Sequence, residues 1–177
     1  MVATASRPKS REMVINLPPL HAVQRTVATS TARFRVLAMG RRGGKTLLGV
    51  VLCLSTALQG KRAWWVAPTY PIASIGWRAL RRLARQIPDT VIRESDHMAL
   101  MPGGGWVQVR SADNPDSLRG EGLDFVVIDE AAYVDEAAWT EALRPALTDR
   151  RGSALLISTP NGLNWFHAAW LRGQDAQ

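Results

Sequence analysis

Residues Arg33 to Thr46 read RFRVLAMGRRGGKT, an apolar β-type run with Val36, Leu37 and Met39 that empties into a glycine-rich loop closed by Lys45 and Thr46. Leu47 to Leu58 follows as an apolar, glycine-poor stretch of helical length. Strand, loop and helix thus stand in the order that a phosphate-binding loop requires. Glycines let backbone N–H groups curl around phosphate oxygens, and the following helix aims its positive end at them. Gly40, Gly43 and Gly44 would form that cradle, with Lys45 reaching the β- and γ-phosphates of ATP and Thr46 holding Mg2+. The usual glycine six positions before the lysine is here Met39, with Gly40 one residue late, so the loop is a variant. Arg41 and Arg42 lie inside it, where an arginine can stabilise transition-state charge from within the same subunit. A glycine-rich turn leading into a core helix is the plain alternative.

A second motif, Leu123 to Glu130, reads LDFVVIDE. Phe125 to Ile128 is expected as a strand buried on both faces, and two carboxylates at its end call for a cation. Asp129 would bind the Mg2+ shell and Glu130 would orient and polarise the attacking water. An acidic cap on a helix starting near Asp135 is the competing use of these groups. A third element, SALLISTPNG from Ser153 to Gly162, is a strand that ends in Ser158 and Thr159 before Pro160 stops it. Those hydroxyls would face the γ-phosphate if this strand lies beside the one that leads to Lys45. By itself the STPNG run is also ordinary turn chemistry.

Together these stretches resemble the N-terminal motor domain of the phage terminase large subunit, the ATPase that drives double-stranded DNA into a procapsid. The resemblance runs through LHAVQRTV with Gln24, GRRGGKT, WWVAPTYPIA, SADNPDSLRGEGLDFVVIDEAAYVD and the STPNG turn. It implies an α/β P-loop NTPase fold of the additional-strand (ASCE) type, a central mostly parallel sheet with helices on both faces. It also implies that Lys45 and Thr46 bind phosphate and magnesium, that Arg41 acts in the loop, and that Asp129 and Glu130 serve as above. Gln24 would contact adenine, and Ser158, Thr159 and Pro160 would couple hydrolysis to movement. Arg119, in the glycine-rich SLRGEG loop, matches an arginine that acts across a subunit interface, where such a finger raises turnover by roughly three to five orders of magnitude. Pairing with Asp116 or Glu121 is the alternative use of its side chain. The implied partners are double-stranded DNA, a homo-oligomeric ring on a portal protein, and the terminase small subunit. The implied place is the cytoplasm of an infected or prophage-bearing bacterium. A helicase-like nucleic-acid-dependent ATPase shares the DE pair, and a nucleotide- or DNA-binding fragment without turnover remains a further reading.

Composition agrees without deciding. A chain of 177 residues with 46% hydrophobic residues is ordinary for one α/β domain. A formal charge of +7 favours polyanionic partners, and no run reaches the roughly eighteen apolar residues of a membrane span. Arg78, Arg81, Arg82 and Arg85 recur at helical spacing, with Ile72, Ile75, Leu80 and Leu83 on the other side. They make a candidate basic stripe for DNA backbone phosphates, or a merely solvated face. Trp64 and Trp65 read as core or interface anchors in preference to base-stacking platforms. The lone Cys53 reads as a buried thiol, and His21, His97 and His167 show no ligand spacing.

The expected organisation is a disordered basic arm over residues 1–16, with Arg7, Lys9 and Arg11, and an ATPase domain over 17–177. Strands are expected at 34–39, 62–67, 124–128 and 154–158, helices near 46–59, 72–87, 135–145 and 163–171, and an appended hairpin within Thr90 to Arg110. Relatives of this kind continue into a lid and an RNase H-like nuclease domain. With Gln177 as the last residue read, the expectation is a truncated domain, and nuclease activity is not assigned.

Overall fold

The structure, a computed structural model, describes residues 17–174. The arm expected over residues 1–16 lies outside the described residues. One seven-stranded sheet organises the chain in the order β1-β7-β6-β2-β5-β4-β3. Its strands are β1 (Phe34–Ala38), β2 (Arg62–Ala67), β3 (Val91–Arg93), β4 (Met98–Leu100), β5 (Trp106–Ser111), β6 (Phe125–Asp129) and β7 (Ser153–Ser158). From β1 to β5 across the sheet every pairing is parallel, while β4 and β3 add antiparallel strands at the far edge.

The sheet carries packed elements on both faces. The helices are α1 (Ala22–Thr29), α2 (Lys45–Leu58), α3 (Tyr70–Ala84), α4 (Arg144–Ala146) and α5 (Trp165–Gln174). Residues of α2 and α3 share one core with Trp65, Val127 and Leu155. On the opposite face Trp64, Val126 and Leu156 pack with Leu118, Trp139, Leu143 and Phe166. Neighbouring strand residues point to opposite faces, and so Trp64 and Trp65 anchor different layers. The Trp65 indole fits between two helices because a Cβ at Gly49 of α2 would meet it at 2.7 Å and one at Gly76 of α3 closer still. Cys53 is buried with its thiol 3.8 Å from the Trp64 carbonyl, and burial pushes that thiol up.

Three expectations need correction. The segment around Pro102 does contain antiparallel pairs, but Trp106–Ser111 is a strand of the parallel sheet, paired with β2 from Arg62↔Trp106 to Ala67↔Ser111. The helix expected at 135–145 is present over 136–146, but its middle, Ala138–Leu143, is π-helical before it runs into the short α4. Ile75 faces outward at 51% exposure; the inner face of α3 is built by Ala73, Gly76, Trp77, Leu80, Leu83 and Ala84.

Candidate nucleotide site

Parallel strands bring their C-terminal ends to one side of a sheet, where ligands of open α/β folds bind. Register places Ala38 beside Ser158 and Ile157 beside Asp129. The loop after β1, the acids after β6 and the hydroxyls after β7 are thereby neighbours.

The loop is shaped by its own residues. Gly44 holds φ 78 as the cap of α2, and Arg42 also takes a left-handed φ of 63. Met39, standing where a glycine was expected, lays its side chain over Gly43, where a Cβ would collide with Met39 Sδ. The missing glycine is thus offset by another. Lys45 is buried, and its Nζ donates to the Met39 carbonyl at 2.6 Å, the Gly40 carbonyl at 3.0 Å and Thr159 Oγ1 at 3.4 Å. Arg41 and Arg42 are exposed and make no side-chain hydrogen bond or ion pair among the described residues. The Thr46 hydroxyl, half-buried at the second residue of α2, is likewise without a hydrogen bond among them.

Asp129 is buried at the end of β6 and accepts from the Glu130 amide at 3.0 Å. Burial and then the adjacent Glu130 charge raise its carboxyl to about 6, against the opposing Glu130 amide and Lys45 ammonium. Glu130 turns out of the strand with φ 47, a strained conformation for a side chain of its size. Its Oε2 accepts from Ser158 Oγ at 3.2 Å. Ser158 is wholly buried, and the same hydroxyl also lies 3.0 Å from the Thr159 carbonyl and accepts from the Ala132 amide at 3.3 Å. One hydroxyl proton serves one acceptor at a time, so Glu130 and the Thr159 carbonyl share it. A continuous line of contacts therefore runs from Lys45 through Thr159 and Ser158 to Glu130. Beyond Pro160, Asn164 and Trp165 bond the Ala132 and Val134 carbonyls at 3.1 and 2.7 Å.

Gln24 is buried, at 2% exposure. Its Nε2 donates to the Gly44 carbonyl at 2.9 Å, and its Oε1 accepts from the His21 amide at 2.8 Å. His21, which sequence reasoning passed over, brings Nε2 to 3.2 Å from the Gly43 carbonyl. The signal was there: a polar residue three before a glutamine is the spacing of a reciprocal helix cap.

Arg119 lies apart from this cluster in the single chain. It pairs with Asp116 and Glu141, each at 3.4 Å, whereas Glu121 pairs with Arg62. Arg81 on α3 and Arg85 at its C-terminal cap both bind Glu94, at 3.0 and 2.9 Å, which leaves Arg78 and Arg82 as the exposed, unpartnered pair of the stripe among the described residues.

A phosphate loop, an acidic strand end and a third strand inserted between the two define a P-loop NTPase of the additional-strand class. The sequence matches the family described as terminase large subunit, T4likevirus-type, N-terminal, over residues 36–175, and the chain belongs to that family. It is 38% identical over 175 residues to the terminase large subunit of Thermus virus P23-45, covering 86% of this chain and 36% of that protein. To the terminase large subunit of Escherichia phage T5 it is 34% identical over 148 residues, covering 81% of this chain and 34% of that one. The chain therefore spans about a third of the length of the curated relatives it matches. Among solved structures, the Thermus phage P74-26 large terminase ATPase domain superposes with a TM-score of 0.76 at 36% identity, over 86% of this chain and 70% of that domain.

Proposed function

We propose that residues 17–177 are the ATP-hydrolysing motor domain of a terminase large subunit, which drives double-stranded DNA into a viral procapsid. The observation that carries this reading is the contact line from Lys45 through Thr159 and Ser158 to Glu130, in a chain of this family. On ATP binding, Lys45 exchanges its loop carbonyls for β- and γ-phosphate oxygens, and the amides of the Gly40–Gly44 loop close around them. The buried Asp129 carboxylate and the free Thr46 hydroxyl fit Mg2+, which takes one or two protein oxygens plus phosphates. When bound, the ion neutralises charge that develops on the phosphate oxygens.

Glu130 accepts a hydrogen bond from the attacking water and aims it in line with the γ-phosphate. Arg41 adds positive charge from the same subunit, and Arg119 of a neighbouring copy does so across the interface of a homo-oligomeric ring. Its ion pairs are solvent-exposed and weak, so redeployment costs little. Ser158, Thr159 and Pro160 pass the change to α5. Arg78 and Arg82, flanked by Arg81 and Arg85, meet the DNA backbone without reading sequence. The ring sits on a portal protein, with the small subunit as partner, in the cytoplasm of an infected or prophage-bearing bacterium. Among the described residues, no helix is long and apolar enough to cross a membrane.

The test is ATP binding and phosphate release by the unaltered chain and by Glu130→Gln. Retained binding with release reduced by about two to four orders of magnitude in the variant is expected. Undiminished release overturns the assignment of Glu130.

A further inference from the structure

A trans peptide unit is planar, with its C=O and N–H pointing in opposite directions, so whatever holds a loop carbonyl also aims the amide across the same plane. The Gly43 carbonyl lies 3.2 Å from His21 Nε2, and the amide opposite it belongs to Gly44. The Gly44 carbonyl accepts from Gln24 Nε2 at 2.9 Å and from the Leu48 amide at 3.1 Å, so the first turn of α2 already sets the direction of the Lys45 amide opposite it. Both anchors come from the first turn of α1, where the His21 amide donates to Gln24 Oε1 at 2.8 Å and the Gln24 amide donates to His21 Nδ1 at 3.4 Å. The same pair thus caps a helix and grips two successive glycine carbonyls of the phosphate loop.

We infer that His21 is a positioning residue of the nucleotide site: it holds the Gly43 carbonyl outward and thereby aims the Gly44 amide at phosphate oxygens before ATP arrives, while Gln24 braces the adjoining Gly44 carbonyl that α2 already directs. The inference rests on the ATP-binding reading above and deepens it. Ring chemistry fixes how His21 does this. A carbonyl only accepts, so Nε2 carries the hydrogen; an amide N–H only donates, so Nδ1 carries the lone pair. The neutral Nε2–H tautomer alone satisfies both contacts. The loop is built to admit the anchors, since a Cβ on Gly44 would stand 2.5 Å from Gln24 Nε2. Glycine peptides rotate freely unless held, and holding them in advance is what raises affinity for a ligand that needs one arrangement.

The test uses His21→Asn, which keeps a cap acceptor for the Gln24 amide but lacks the distal nitrogen that reaches Gly43. Equilibrium binding of a fluorescent ATP analogue with Mg2+, and its competition by inorganic tripolyphosphate, are measured beside the thermal midpoint of the nucleotide-free protein. The expected result is binding about three- to ten-fold weaker, the worth of one hydrogen bond, for both ligands by the same factor, with the midpoint little changed. Equal loss for tripolyphosphate separates aim at phosphates from any contact with adenine. Unchanged binding of both ligands overturns the inference, as does a loss confined to the ATP analogue or one matched by a large fall in midpoint. Failure of the unaltered chain to bind either ligand overturns the ATP reading itself, and this inference with it.

Discussion

At the scale of single residues, Asp129 sets the pH response. Its carboxyl stands raised to about 6 from an ordinary 3.8, first by burial and then by Glu130. A raised acid pKa means that the fold holds the proton more tightly than the unfolded chain does, so this group lowers stability above pH 6 and its burden lifts as pH falls towards 4. Metal binding needs the carboxylate, so the sign there is opposite. Mg2+-ATP affinity is expected to fall by up to about tenfold per pH unit below 6, and Asp129→Asn to lose that dependence while raising the thermal midpoint of the nucleotide-free chain at pH 8; titrations between pH 5 and 8 check both. Met39 and Gly43 make a second residue-scale case. Gly43→Ala should cost about 1–3 kcal/mol by overpacking against Met39, and Met39→Gly in the same chain should recover most of it in urea unfolding. The gathering of Lys45, Asp129 and Glu130 at neighbouring strand ends was legible because each follows directly on its own apolar strand in the sequence. That Met39 lies over Gly43, or that His21 reaches the loop, depends on side-chain paths through space that no spacing encodes.

Elements were legible where periodicity was strong and length sufficient. The strands ending at Ala38, Ala67, Asp129 and Ser158, and the helices following the first two, lie within a few residues of their expected bounds. The strand Trp106–Ser111 was assigned to a local hairpin because its partner β2 lies far away in the chain, and sequence proximity favours β4. The π-helical turn over Ala138–Leu143 has no distinct pattern of its own, and α3 deceived at Ile75, which a helical wheel puts near the apolar side. The same helix carries the DNA prediction. Arg78→Ala with Arg82→Ala should weaken non-specific duplex binding and flatten its dependence on log salt by about 0.9 for each phosphate no longer neutralised. Arg81→Ala with Arg85→Ala should change it less, because Glu94 already holds both guanidinium groups. Anisotropy of labelled duplex over a salt series distinguishes the two pairs.

At the scale of the whole molecule, one chain brings Lys45, Thr46, Asp129, Glu130 and Ser158 to the C-terminal ends of the parallel strands but leaves Arg119 engaged elsewhere, with Asp116 and Glu141. Under the proposed function a second copy supplies this arginine, and activity is then expected to depend on assembly. The resemblance implied this role, while the residues alone left it open, since an arginine in a glycine-rich loop serves a neighbour or its own carboxylates with equal ease. Mixing gives a sharp expectation: Arg119→Ala chains supply an intact Glu130 and Glu130→Ala chains supply an intact Arg119, so the mixture should regain turnover that neither shows alone. The most direct measurement is steady-state phosphate release from Mg2+-ATP over a wide range of protein concentration, for the unaltered chain, Glu130→Ala and Arg119→Ala. The account predicts release that rises more steeply than concentration in the unaltered chain and is lost in both variants. Release that stays strictly proportional to concentration and survives either substitution would contradict it.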